Sequence, residues 1–261
     1  MTGHDFFRWA TALTFAATAV AAVPAYADSA KPVCGAPADL VRLALPLKRV
    51  AQHVAAGQPI TIVAIGSSST AGAGASSPDK TYPSRLAVEL HGMWPSLQIT
   101  VINRGINGEE SNQMLARFDR DVFAEHPDLV LWQVGSNSVL RDRPIEQANA
   151  PLHDGLKRLH DAGVDVVLIN PQYSPKVITK HDVDSMVSLI SFTAKQANVD
   201  LFDRFSVMRR WRDDMPFSVF VSPDELHMND WGYGCWAKLM AGAIHDAAGR
   251  GTVTATAGVG R

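Results

Sequence analysis

The residues able to do chemistry concentrate in two short segments. Gly66-Ser67-Ser68-Ser69-Thr70 directly follows an apolar run, and Asp224-Glu225-Leu226-His227 lies towards the C-terminal end. A serine hydroxyl is a weak nucleophile until a neighbouring base takes its proton. A sharp strand-to-helix turn exposes it and aims backbone N–H groups at a reacting carbonyl oxygen. A histidine acting as that base needs a carboxylate on Nδ1 to fix its tautomer, and a separation of three residues lets one turn bring Asp224 to His227. Two further segments are placed to meet developing negative charge. Residues 103–108 contain Gly105, where the backbone can approach a ligand closely. Gly135-Ser136-Asn137 offers the Asn137 side-chain amide as a donor. Taken singly, each has a plainer reading. The serine run also fits a surface loop or a phosphate cradle at a helix N-terminus. Asp224 fits a helix cap, Gly105 a turn glycine and Asn137 another cap. No second His or Cys lies near His227 at ligand spacing, so the segment does not read as a metal site.

The elements that must position these segments alternate between strand-like and helix-like patterns, the sequence form of an α/β domain with a mainly parallel sheet. Residues 60–65, 97–102, 129–134, 164–169 and 199–202 are short and apolar and predict five strands. Helical patterns cover 86–94, 145–160, 182–198 and 231–247. Another helix, capped by Ser111, is expected to run through Met114, Leu115, Phe118 and Phe123. This alternation predicts a doubly wound three-layer α/β/α sandwich. In such sheets ligands bind beyond the carboxyl ends of the strands, near the point where strand order reverses. The serine run, Gly105 and Asn137 follow the first, second and third strands, which places all three at that end.

Ser68, Gly105, Asn137 and His227 also fall in the order that defines the SGNH hydrolases, the GDSL-like esterases and lipases, and each lies in a segment that resembles one of that family's blocks. Gly66-x-Ser68-x-Thr70 resembles G-D-S-x-T, Gly105 the glycine block, Gly135-x-Asn137 the block G-x-N-D, and Asp224-x-x-His227 the block D-x-x-H. The resemblance spans residues 60–247. It implies a flavodoxin-like sandwich with a shallow active site. It further implies Ser68 as nucleophile, His227 as base and Asp224 as its partner, with the backbone N–H groups of Ser68 and Gly105 and the Asn137 side chain as oxyanion donors. The reaction implied is hydrolysis of a carboxylic ester through an acyl-enzyme, with no cofactor and no metal. A small acyl ester or an O-acetylated carbohydrate is the expected substrate, with lysophospholipase and thioesterase activities as alternatives within the family. Ser67 and Ser138 stand where the family has aspartates, and a noncatalytic glycan-binding module is the reading those replacements leave open. The Gly-x-Ser-x-Thr spacing selects Ser68 over Ser67 and Ser69. No G-x-S-x-G is present to support an α/β-hydrolase, and a flavin or phosphate binder has no use for Asp224 and His227.

Composition and the chain ends bound the setting. A net charge of -2 and 46% hydrophobic residues in 261 suit one globular domain, assigned to residues 28–248, and supply no basic field for nucleic acid. Residues 1–27 read as a signal peptide, with Arg8 ahead of the apolar run 10–23 and Ala25-Tyr26-Ala27 as the cleavage pattern. That run is shorter than the ~20 residues a helix needs to cross a bilayer, so a secreted or periplasmic protein without a stable membrane anchor is expected. Residues 249–261 read as a disordered tail. Cys34 and Cys235, the two cysteines, are expected to pair under export. Met208-Arg209-Arg210-Trp211-Arg212 reads as a solvated helix face with one buried Trp, or as a contact for an anionic or sugar ligand. No feature of the sequence sets an oligomeric state.

Overall fold

Successive side chains of a strand point to opposite faces, so a strand that is apolar throughout feeds two cores at once. The computed structural model describes residues 1–2 and 32–256, with side chains to 251; the expected signal segment lies outside the described residues except at its first two. From Cys34 onward the chain forms one unit. Its five strands are β1 (Ile60–Gly66), β2 (Ile99–Gly105), β3 (Leu129–Gln133), β4 (Asp165–Ile169) and β5 (Asp200–Phe202). All pair in parallel, in the order β2-β1-β3-β4-β5. Ile60, Ile62 and Ala64 of β1 enter one core, and Val63 and Ile65 the other. Likewise, Leu129 and Leu131 of β3 oppose Val130 and Trp132, and Val167 and Ile169 of β4 oppose Val166 and Leu168.

A sheet that is apolar on both faces must be covered on both. The helices Lys48–Ala56, Tyr82–Met93 and Asp230–Thr256 close the first core, contributing Val50, Leu86, Leu90, Trp236, Met240 and Ile244. The helices Glu146–Asp161 and Val183–Gln196 close the second with Leu152, Leu156, Met186 and Ile190. The result is the three-layer α/β/α sandwich expected from the strand and helix patterns. Sheet order reverses between β2-β1 on one side and β3-β4-β5 on the other, so the crevice lies beyond the ends of β1 and β3. Register brings those ends level, with Gly66 beside Gly105 and Ile65 beside Trp132.

Several boundaries differ from the sequence expectation for identifiable reasons. The helix expected from Ser111 through Phe123 is broken into Ser111–Leu115, Phe118–Asp121 and a short 3-10 turn at Phe123–Glu125. The break falls at Arg117, whose buried guanidinium is drawn inward to Glu109, Asp121 and the Arg104 carbonyl. The cap is Glu110 rather than Ser111: the Gln113 side chain accepts from the Glu110 N–H at 2.9 Å and the Glu110 carboxylate caps in return. The last helix continues through Gly249 to Thr256, past the expected end of the domain at 248. Arg250 holds it there by donating to the Leu43 carbonyl at 2.6 Å. The rest of the expected tail lies outside the described residues. Among the described residues no helix is long and apolar enough to cross a membrane.

Cys34 and Cys235 are joined by a disulfide with Cα atoms 5.3 Å apart and a sequence separation of 201. It fastens the start of the domain to the last helix, and Trp211 Nε1 donates to the adjacent Gly35 carbonyl at 2.9 Å. Closing so long a loop restricts the unfolded chain strongly. The entropy model gives about 5 kcal/mol, and measured gains are commonly about 2–4 kcal/mol. Denatured, unreduced protein is therefore expected to show no free thiol on titration, and replacing both cysteines with serine to lower the unfolding free energy by about 2–4 kcal/mol. Two free thiols in protein made in an oxidising compartment would contradict the bond.

Candidate functional site

The Ser68 loop is shaped by two facing glycines. A Cβ on Gly66 would meet Thr70 Oγ1 at 2.2 Å, and one on Gly105 would meet the Ala71 backbone N at 2.1 Å. Only glycines let the short helix Ser68–Ala71 sit directly on the ends of β1 and β2. Ser67, Ser69 and Thr70 are buried by this packing, whereas Ser68 is partly exposed. Of the three serines, Ser68 alone presents its hydroxyl outward.

The second loop delivers its two side chains to the same place. Asp224 Oδ1 accepts the N–H groups of Leu226 and His227, each at 2.9 Å, and the Ser222 hydroxyl at 2.6 Å. Its Oδ2 lies 2.5 Å from His227 Nδ1, and His227 Nε2 lies 2.7 Å from Ser68 Oγ. Burial pushes the Asp224 carboxyl up. The Ser222 hydroxyl, His227 and the two backbone donors outweigh that and hold it well below the usual carboxylate range. An ionised carboxylate only accepts, so His227 carries its proton on Nδ1 and leaves Nε2 to accept from Ser68. The arrangement can take a proton from Ser68 as its oxygen attacks, and can stabilise the imidazolium that results.

Beneath both loops runs a polar network that the sequence reading did not single out. Gln133, at the end of β3, accepts the Ser67 N–H and hydroxyl, each at 3.0 Å, and the Thr70 hydroxyl at 3.3 Å. Its amide donates to Ser136, which donates to Gln172 Oε1 at 2.7 Å. Arg204 is fully buried; it donates to the same Gln172 oxygen at 2.9 Å and to the Asn170 carbonyl at 3.0 Å. Gln172 Nε2 in turn faces the Leu226 carbonyl, next to His227. Burial brings the Arg204 pKa down to about 10, which still leaves it charged at neutral pH. A guanidinium can only donate. It therefore fixes the Gln172 oxygen towards itself, the Ser136 hydroxyl towards Gln172, and the Gln133 oxygen towards Ser67. One buried charge sets the direction of every bond under the site. A glutamine ending the apolar run 129–132 was the available signal, since a polar side chain on a buried strand needs a partner.

The remaining residues singled out from the sequence fall as follows. The Ser68 N–H lies at the start of its helix. The Gly105 N–H is occupied by Asn103 Oδ1 at 2.9 Å. Three residues on, Gly108 adopts a left-handed turn, φ 80°. Asn137 Nδ2 donates to the neighbouring Glu109 carbonyl at 2.8 Å, which brings the side-chain amide to that turn. Ser67 fills the Asp position as a donor to Gln133, and Ser138 donates to Glu110 Oε2 at 3.2 Å. In the Met208–Arg212 segment Met208 and Trp211 are buried and Arg210 pairs with Asp214 at 2.9 Å. Arg212 lies over the Phe217 ring, and the segment is part of the helix Arg204–Asp214.

A model of the Non-GDSL lipase-like family matches residues 33–250. The sequence blocks resemble those of the GDSL-like branch. The family model places the chain outside the GDSL pattern, in keeping with Ser67 at the position of that motif's aspartate. An arylesterase of Vibrio mimicus is 32% identical over 99 residues, covering 37% of this chain and 48% of that protein. An acetylxylan esterase of Geobacillus stearothermophilus is 40% identical over 52 residues, covering 20% of this chain and 24% of that protein. The alignments thus span about half and about a quarter of these two relatives. The solved structure of a two-domain esterase active on acetylated mannans has a TM-score of 0.66 at 20% identity, covering 80% of this chain and 56% of that one. At that identity the likeness is one of fold.

Gln133 is the point where the network meets the Ser68 turn, so removing its acceptor leaves the buried Ser67 N–H unpaired. Gln133→Met, of similar volume, is expected to lower the unfolding free energy by about 1–3 kcal/mol and to slow acylation of Ser68 by an activated acetate ester. Denaturant unfolding and stopped-flow acylation measure the two effects. An unchanged unfolding free energy together with an unchanged acylation rate would show that Gln133 does not support the turn.

Proposed function

The chain belongs to the Non-GDSL lipase-like family, and from that premise we propose that it is a serine esterase that removes small acyl groups from carbohydrate through an acyl-enzyme. The observation that carries the reading is the unbroken line from Ser68 Oγ through His227 to Asp224, at 2.7 and 2.5 Å. Ser68 Oγ attacks the ester carbonyl carbon while its proton passes to His227 Nε2, and Asp224 stabilises the imidazolium. The oxyanion receives the Ser68 N–H and one hydrogen of the Asn137 amide, whose other hydrogen holds the Glu109 carbonyl. The Gly105 N–H is already taken by Asn103. The third donor is therefore assigned to the N–H of Gly108, at the turn beside Asn137. Collapse of the tetrahedral intermediate expels the alcohol, protonated by His227. Water, deprotonated by the same histidine, then releases the acid and restores the Ser68 hydroxyl.

Support for the substrate class comes from the relatives: an arylesterase and an acetylxylan esterase by sequence, and an esterase active on acetylated mannans by fold. Export is part of the same proposal. The Cys34–Cys235 bond supports it, because such bonds persist in oxidising compartments.

A panel of p-nitrophenyl esters from acetyl to long acyl, run beside acetylated xylan and mannan with acetate release as the readout, tests the reading. The highest kcat/KM is expected for acetyl esters, with acetate released from at least one of the polysaccharides. Asn137→Ala is expected to lower kcat by ~10²–10³, the usual cost of one oxyanion donor. A preference for long acyl chains would overturn the substrate class, and an unchanged kcat in Asn137→Ala would remove that side chain from the hole.

A further inference from the structure

A cleft of about 410 Å³ opens beside the proposed oxyanion site. It is lined by Glu110, Asn112, Gln113, Arg141, Arg143 and Gln147, every one of them polar or charged. Its position follows from the short helix Ser136–Leu140, which carries Asn137 and ends at Arg141. Arg141 Nη2 lies 3.2 Å from where a side chain on Gly108 would begin, so the cleft starts at the turn assigned to the oxyanion.

The charges around it do not cancel. Glu110 is the one carboxylate in the lining, and its oxygens are already committed to Arg141 Nη1 at 2.7 Å, Ser138 Oγ at 3.2 Å and Arg143 Nε at 3.5 Å. The neighbouring acids are turned away: Asp142 pairs with Lys180 at 2.7 Å, and Glu109 with the buried Arg117 at 2.7 Å. Within the lining, Arg141 and Arg143 thus face the single carboxylate of Glu110, an excess of one positive charge. Arg141 and Arg143 each meet Glu110 through a single nitrogen, so the other N–H groups of both guanidiniums remain for a ligand. Planar guanidinium groups match a carboxylate through paired N–H donors. Asn112 and Gln147 suit hydroxyl groups, being donors and acceptors together, and Gln113, whose oxygen accepts the Glu110 N–H, adds its amide hydrogens.

From this juxtaposition we infer that the cleft is a subsite for a sugar carboxylate, so that the ester cleaved at Ser68 sits on a saccharide that carries a uronate residue. The inference rests on the proposed esterase reading for the meaning of its position. Its binding chemistry stands on the cleft itself. The sugar hydroxyls meet Asn112, Gln113 and Gln147, and the uronate bridges the free edges of Arg141 and Arg143.

The test is calorimetric titration of the full chain with two deacylated xylo-oligosaccharides of equal length, one bearing a glucuronate branch and one neutral. The acidic oligosaccharide is expected to bind about tenfold more tightly at low salt, since a charge-assisted pair in a partly exposed cleft is worth roughly that factor. The preference should shrink to about twofold or less in about 0.5 M NaCl, where exposed charges are screened. It should shrink similarly in Arg143→Gln, and Arg141→Gln provides a second, independent arm. Equal affinities in the parent protein would overturn the inference, as would a preference that survives both substitutions. Hydrolysis of p-nitrophenyl acetate by the same samples reports on the esterase reading separately: loss of turnover with the binding preference intact sinks that reading alone, and turnover without the preference sinks the subsite alone.

Discussion

The hydrogen bond between Ser68 Oγ and His227 Nε2 joins two loops 159 residues apart. A bond of that reach holds its length only if neither loop is free to move, and each is fixed in its own way. The Ser68 loop is pressed onto the sheet by Gly66 and Gly105, where no other residue would let the helix approach. The Asp224–His227 loop is held by carboxylate caps within itself and by the Ser222 N–H donating to the His227 carbonyl at 2.8 Å. Between them, Gly74 lies so close to the Met228 carbonyl and the His227 side chain that a Cβ would not fit. The parallel sheet supplies the rest, because it brings the ends of β1, β2 and β3 to one edge and returns the chain through helices on both faces.

Burying Arg204 without a carboxylate beside it is costly, since several kcal/mol are needed to strip water from an ion before any partner returns them. The protein offsets part of that cost with carbonyl and amide oxygens from Asn170 and Gln172 and with the Trp236 ring, 5.1 Å from the guanidinium carbon. What the charge provides in exchange is direction. An uncharged network of glutamines and serines can reverse its bonds by flipping amides and rotating hydroxyls. A donor-only cation at one end removes that freedom and holds the Gln133 oxygen under Ser67.

Much of the fold was legible in the chain because parallel strands buried on both faces read as short apolar runs, and the helices between them keep their period. The Lys48–Ala56 helix was missed because it is short and its apolar residues are small, held by Asp165 accepting the Arg49 and Val50 N–H groups from the far end of β4. That contact spans over a hundred residues and leaves no local trace. Ser68, Asp224 and His227 were visible because local spacing carries their chemistry. Arg204 and Gln172 were not, because they act through partners brought close only by the fold. Gly105 directly ends β2, and Gly108 lies three residues further on. The proposed choice of Gly108 rests on the backbone, with the Gly105 N–H held by Asn103 and Gly108 at a left-handed turn beside Asn137.

Whether the line of Ser68, His227 and Asp224 acts as a nucleophilic centre is tested most directly by covalent labelling. The full chain, treated with a fluorophosphonate and analysed by intact mass and peptide mapping, is predicted to gain a single adduct on Ser68, and Ser68→Ala is predicted to gain none. An adduct on Ser67 or Ser69, or labelling that persists in Ser68→Ala, would contradict the account.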